Sequence, residues 1–228
     1  MQVAEQTHID VVYPSSDGEP LAETYDHLYA MLVTLEVLRQ YLEGQQATVL
    51  ANQFLYYAQG FPRLRVAPDV MVIFGVDPGG RDSYKVWEEG EIPSVVFEMT
   101  SKGTQQEDQV YKFRLYAQLG VQEYWLFDPK GEWLPSPLMG YQLSQEDYIQ
   151  IPELCSQVLG LQLAVEGKLI GFTEMSTGRR LPMPAELSQA LAQERERAEQ
   201  EAQRAEQEAQ RAEQLRAQLQ GLGIDPVA

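Results

Sequence analysis

Apolar residues first fall into a helical rhythm between Leu21 and Leu42. Leu28, Met31, Leu35, Leu38 and Leu42 recur, with Thr24, at intervals of three and four, and Gly44 follows as a stop signal. The spacing predicts one helix with one face turned inward. The rhythm then changes to that of extended chain. Thr48 to Leu55 reads as one strand and Asp69 to Phe74 as another; the latter opens after Pro68 and is apolar throughout, as expected where both faces of a strand are covered. Val76 to Pro93, rich in Gly, Asp and Glu, reads as a long surface loop.

Ser94 to Thr100 is a further apolar strand, and it leads through SKGT into a helix from about Gln105 to Leu119, ended by Gly120. Val121 to Phe127 forms the next strand. Strand, helix and strand in this order make a crossover unit, so the architecture is α/β with these neighbouring strands parallel. Beyond Asp128-Pro129, segments around Trp133, Tyr141, Leu161–Val165 and Leu169–Phe172 read as short peripheral strands between turns such as PKGE, VEGK and STGR.

From about Ala185 the pattern changes again, to Ala, Glu, Gln and Arg. RAEQEAQ repeats from Arg197 and Arg204, and Ala198, Ala202, Ala205, Ala209 and Ala212 alternate spacings of four and three. That is a heptad seam built of a small residue. It fits a coiled coil joining chains into a homo-oligomer through residues 185–220, and equally a solvated single helix held by glutamate–arginine pairs. The expected organisation is one domain over 1–184 and a helical tail over 185–228.

Composition narrows the function. Hydrophobic residues make up 44% and charged residues 22%, the balance of a soluble globular chain. No apolar run is long enough to cross a bilayer and the N-terminus lacks an export signal, so the expected setting is the cytoplasm without a membrane partner. Cys155 stands alone and reads as a small apolar residue, and two histidines cannot assemble a zinc cluster. Any metal should therefore be a hard cation held by oxygens. The formal net charge of −17 is not confined to the tail. A nucleic-acid enzyme of this composition needs a locally basic groove or a bound cation.

Candidate chemistry lies where polar residues occupy apolar positions. Asp69 stands at the mouth of one buried strand. Along the other, Val96, Glu98, Thr100 and, by parity, Lys102 share a face, which leaves Glu98 inside an apolar run and in need of a cation, a metal or several donors. On the following helix, projection at about 100° per residue puts Lys112 in the buried arc with Val110, Phe113, Leu115, Tyr116, Ala117 and Leu119. Glu98 is within plausible reach of it, and Asp108 lies one turn earlier on the same side. An alternative leaves the Lys112 ammonium in water with its methylenes over the core. On the first helix His27 projects beside Met31 and Leu38, with Glu23 one turn before it. Asp77, Gly79, Gly80 and Asp82 match no calcium loop and read as turn-makers.

The ordered strings APDVMVIF, VVFEMTSKGT and DQVYKFRLYAQLGVQEYWLFDP, between Ala67 and Pro129, are similar to the Uma-type restriction endonucleases. This bacterial group, formerly domain of unknown function 820, lies within the PD-(D/E)XK nuclease superfamily. SDGEPLAET followed by His27, and GFTEMSTGRRL, extend the resemblance over roughly residues 8–184. It implies a restriction-endonuclease-like core, a mixed sheet flanked by helices, and metal-dependent hydrolysis of DNA phosphodiester bonds. By that likeness Asp69 and Glu98 hold Mg2+ or Mn2+. The superfamily's usual lysine, two residues after the second acid, is here Thr100. The resemblance implies that Lys112 replaces it, with Lys102 as the alternative, and Glu23 or His27 could stand where related nucleases place an extra acid. Against the endonuclease stands a second reading: a non-catalytic interaction protein that keeps the nuclease fold and oligomerises through its tail.

Overall fold

The computed structural model describes residues 11–16, 18 and 23–221. The expected helix start at Leu21 lies outside them, as does much of SDGEPLAET. Two compact units divide the chain, one up to Leu181 and one from Pro182. Among the described residues no helix is long and apolar enough to cross a membrane.

The first unit opens with helix α1, Tyr25–Tyr41, whose N-cap Thr24 accepts a hydrogen bond from the His27 amide at 3.4 Å. Its buried face runs through His27, Ala30, Met31, Thr34, Val37 and Leu38, whereas Leu28 is 37% exposed. The inward stripe therefore keeps Met31, Leu38 and Leu42 of the expected ladder, leaves Leu28 out and Leu35 half-buried, and widens to take in Ala30, Val33 and Val37. Thr24, at the head of the ladder, spends its hydroxyl on the cap.

Next come β1 (Ala47–Leu50), β2 (Leu55–Tyr56), β3 (Arg65–Val66), β4 (Val70–Phe74) and β5 (Tyr84–Lys85). The single strand expected from Thr48 to Leu55 is thus two. Asn52 takes the left-handed conformation (φ 54°) and its amide donates to Pro68 O, so the chain turns between them. The expected loop over 76–93 also carries structure. Buried Tyr84 pairs β5 parallel to β2, a turn of helix α2 (Val86–Glu89) follows, and Arg81 clamps the intervening chain through Gly79 O, Asp77 O and Glu89.

Strand β6 (Val95–Met99) leads into a π-helical turn, Glu107–Lys112, that continues as α3 (Phe113–Leu119) and returns in β7 (Glu123–Phe127). β8 (Leu138–Ser144) and β9 (Asp147–Ile151) complete a six-stranded sheet of order β1-β4-β6-β7-β8-β9. Only β6 and β7 are parallel in it, as the crossover requires. The architecture is a mixed α/β sheet flanked by helices. One face, through Met71, Ile73, Val96, Tyr124 and Leu126, packs against Phe113, Tyr116 and Leu119. On the other, Phe97 lies between the rings of Trp125 and Phe172.

Phe172 belongs to a small sheet of β10 (Cys155–Ser156), β11 (Leu161–Glu166) and β12 (Leu169–Glu174). A fully buried carboxylate ties it down. Glu123 accepts from Trp125 Nε1 at 3.1 Å, Ser156 Oγ at 2.5 Å and Val158 N at 3.1 Å. The segment around Trp133, expected to be a strand, is a loop with no strand pairing. The described part of the second unit carries helix α4, Pro184–Gly221, with side chains exposed from 185 to 218.

Gly140 sits opposite Trp125 in the β7–β8 ladder, and a Cβ there would fall within 3.0 Å of the indole carbons. Because Trp125 is wholly buried, the ring has nowhere to move. Gly140→Ala is expected to cost about 1–3 kcal/mol in urea unfolding. Gly171→Ala, whose Cβ would first meet the Glu166 side chain, 34% exposed and able to move outward with Arg180, should cost less. The opposite order of midpoints would show that the β7–β8 packing is looser than described.

Candidate active site

Adjacent strands bring the first two candidates together. β4 and β6 are antiparallel with Val70 opposite Phe97, and one further step of that register places Asp69 opposite Glu98. Residues opposite each other in an antiparallel pair project to the same face. The Asp69 amide lies 3.4 Å from Glu98 Oε2, while Asp69 Oδ2 accepts from the Met99 amide at 2.6 Å. Asp69 thus keeps part of its side chain in solvent (16% exposed) and Glu98 almost none (1%).

Glu98 is held by donors from the helix packed over its face. Lys112 Nζ donates to Oε2 at 2.8 Å and Tyr116 Oη to Oε1 at 2.8 Å. The same ammonium lies 3.2 Å from Asp108 Oδ1. Sequence projection made Tyr116 an apolar core residue and missed its hydroxyl. The available signal was that a buried tyrosine must find a partner for its O–H.

Residues 107–112 wind as a π turn, and Lys112, at its end, stands one α turn before Tyr116, so that both reach Glu98. Sequence reasoning used the α-helical 100° step across residues that wind more widely. Lys112 and Asp108 are both buried, yet Val110, expected inward, is 48% exposed. Glu107, Tyr111, Arg114 and Gln118 are exposed as expected. A π turn at a charged pocket follows the known tendency of such segments to occur at functional sites.

The other candidates occupy the border of this pocket. Buried His27 places Nε2 3.3 Å from Asp69 Oδ1 and Nδ1 3.5 Å from Glu23 Oε2. Lys102 lies exposed in the turn after β6, and Thr100 is buried with no hydrogen-bond partner for its hydroxyl among the described residues. Lys112, not Lys102, is therefore the lysine bonded to Glu98. Asp77 and Asp82 belong to the Arg81-clamped segment.

Electrostatically the pocket is short of positive charge. Burial, joined by the neighbouring Asp69 and Asp108, outweighs the pull of Lys112 and leaves Glu98 raised to about 8. Burial also raises Asp108, against Lys112. For Lys112 burial works against the charge, but Glu98, Asp108 and Asp69 outweigh it and hold the ammonium above its ordinary range. His27 follows the same logic: burial lowers it, Asp69 and Glu23 raise it, and the balance is upward.

Among the described residues no three His, Cys, Asp or Glu side chains form a ready metal-ligating cluster. Asp69 and Glu98 nevertheless suit Mg2+ or Mn2+ in kind, being hard oxygens in a pocket with surplus negative charge. Mg2+ usually takes one or two protein carboxylates and leaves its other positions to water and phosphate.

Residues 6–166 match the model of the Uma2 family, described as "Putative restriction endonuclease". The match takes in more than half of the chain, and the chain belongs to that family. Three solved chains also match. One is described as "a putative nuclease belonging to DUF820" from Anabaena variabilis ATCC 29413; it is 13% identical, with a TM-score of 0.45 over 73% of this chain and 86% of that one. No curated protein matches.

The raised Glu98 has a signed consequence for the metal-free chain. Between its ordinary value of 4.5 and about 8 the folded state keeps a proton that the unfolded state has lost. Stability from this group is therefore fully present below the lower value and is lost as pH rises through the upper one. In EDTA, wild-type stability minus that of Glu98→Gln should fall between about pH 5 and pH 9 in urea titrations. A flat difference would mean that Glu98 is ionised throughout.

Proposed function

We propose that this chain is a metal-dependent endonuclease that hydrolyses DNA phosphodiester bonds, with Asp69 and Glu98 as the ligands of Mg2+ or Mn2+. The observation that carries the reading is the convergence of Asp69, Glu98 and Lys112 on one face of the sheet, in a chain of the Uma2 family. The bound ion would supply Lewis-acid activation of the phosphodiester and of the attacking water.

The chain's own groups divide the remaining work. Asp69, with one oxygen on the Met99 amide and the other toward His27, is oriented before any substrate arrives. Lys112, ringed by three carboxylates, stays charged, so its role is to steady negative charge on the phosphate and not to remove a proton. His27, between Glu23 and Asp69, fixes the Asp69 carboxylate and can hold a proton at Nε2. Tyr116 keeps Glu98 in place from the helix side.

One observation favours the second reading, a non-catalytic interaction protein. Both oxygens of Glu98 already accept from protein donors, which is how a purely structural carboxylate would be satisfied. In that reading the alanine seam of α4 carries the function by joining copies of the chain.

Nicking of supercoiled DNA separates the two. Wild type with Mg2+ or Mn2+ should cut, and Asp69→Asn, Glu98→Gln and Lys112→Ala should each slow cutting by about 10²-fold or more. Absent wild-type cleavage, or cleavage that survives all three changes, ends the endonuclease reading.

The tail has its own measurement. Removing residues 185–228 should lower the mass found by light scattering if the seam pairs chains. An unchanged mass means a solvated helix.

A further inference from the structure

A cavity of about 450 Å³ opens beside His27 and Thr100, and Glu23, Lys102, Lys130 and Trp133 also line it. Thr100 lies two residues beyond Glu98 on the same strand face, so the cavity adjoins the acid pair. We propose that it holds an unpaired nucleotide next to the bond to be cut: Trp133 stacks on the base, and Lys102 and Lys130 meet the flanking phosphates. The substrate is thus single-stranded DNA, or DNA locally opened. This inference rests on the nuclease reading for its chemistry but concerns binding.

The wall that carries Lys130 and Trp133 is built to stay in place. Asp128, at the end of β7 and 1% exposed, accepts four backbone N–H groups of the loop that follows: Lys130 (3.0 Å) and Gly131 (2.9 Å) on Oδ1, Trp133 and Leu134 (3.2 Å) on Oδ2. Gly131 supplies the left-handed residue (φ 67°) that the tight turn needs. A loop with its amides collected on one buried carboxylate presents a half-buried indole without ordering it at the moment of binding.

Charge agrees with this occupant. The acids lining the cavity are engaged, Asp26 with Lys168 at 2.7 Å and Glu23 toward His27 at 3.5 Å. Among the described residues Lys102 and Lys130 have no ion-pair partner. They provide the locally basic wall that a chain of net charge −17 needs in order to approach phosphate. Size agrees as well, since the cavity is in the range that holds a small molecule or one nucleotide and is too small for a duplex. Single strands are commonly held by an aromatic platform under the base with lysines along the backbone.

The test measures binding of the full chain, in EDTA, to a fluorescein-labelled single-stranded oligonucleotide and to its duplex, by anisotropy. Wild type should prefer the single strand and its tryptophan emission should be quenched. Trp133→Ala should weaken binding at least fivefold, the low end for one base–aromatic stack. Trp133→Phe should bind nearly as wild type but lose the quench. Lys102→Ala with Lys130→Ala, both at exposed positions, should reduce the slope of log affinity against log salt by about 0.7 per lysine. Wild type that does not bind single strands, or these variants binding unchanged, overturns the proposal. Binding through Trp133 without cleavage in Mg2+ would retain the subsite and remove the hydrolytic reading, and cleavage indifferent to Trp133 would do the reverse.

Discussion

Glu98 is a carboxylate in the middle of an apolar strand, and the fold around it is arranged to keep it there. An ionised acid taken out of water without partners is ruinously expensive, so each donor must come from an element already in place. Lys112 arrives from the π turn, Tyr116 from α3, and the Asp69 amide from the entry to β4. One side chain thus fixes the angle of a helix on the sheet and the register of two strands. Such a buried pair is a poor source of net stability, and its value lies in specifying position.

Much of this was legible in the sequence because polar residues in apolar surroundings are conspicuous. The runs 70–74, 95–99 and 123–127 are covered on both faces and stand out without any periodicity argument. Glu98 and Lys112 stood out against their apolar neighbours for the same reason. What escaped was set by tertiary contacts. The inward face of α1 takes in Ala30, Val33 and Val37 beside the expected Met31, Leu38 and Leu42, and β2, β3 and β5 are too short to show a pattern. The π turn was invisible because a helical projection assumes its own step. Asp128 looked like the end of a strand, since nothing in the local sequence says that four amides will converge on its carboxylate.

The acidity of the chain takes on meaning at the pocket. Asp69, Glu98 and Asp108 surround one ammonium, so that a deficit of positive charge is concentrated at the site proposed for a divalent ion. Among the described residues, the lysines without an ion-pair partner stand at the border, Lys102 on the turn after β6 and Lys130 on the loop after β7. That division is the one the proposed nuclease asks for, with the acids at the reacting phosphate and the lysines at its flanks.

The wide turn at Glu107–Lys112 accommodates more backbone per revolution than an ordinary helix. Deleting one residue there would let the segment relax into regular α geometry, with better backbone bonding. It would shift the residues before Lys112, Asp108 among them, against the α3 face that carries Lys112 and Tyr116 to Glu98. Irregular winding thus bears on where Asp108 meets the ammonium, while the four-residue step from Lys112 to Tyr116, both on Glu98, is that of an ordinary helix.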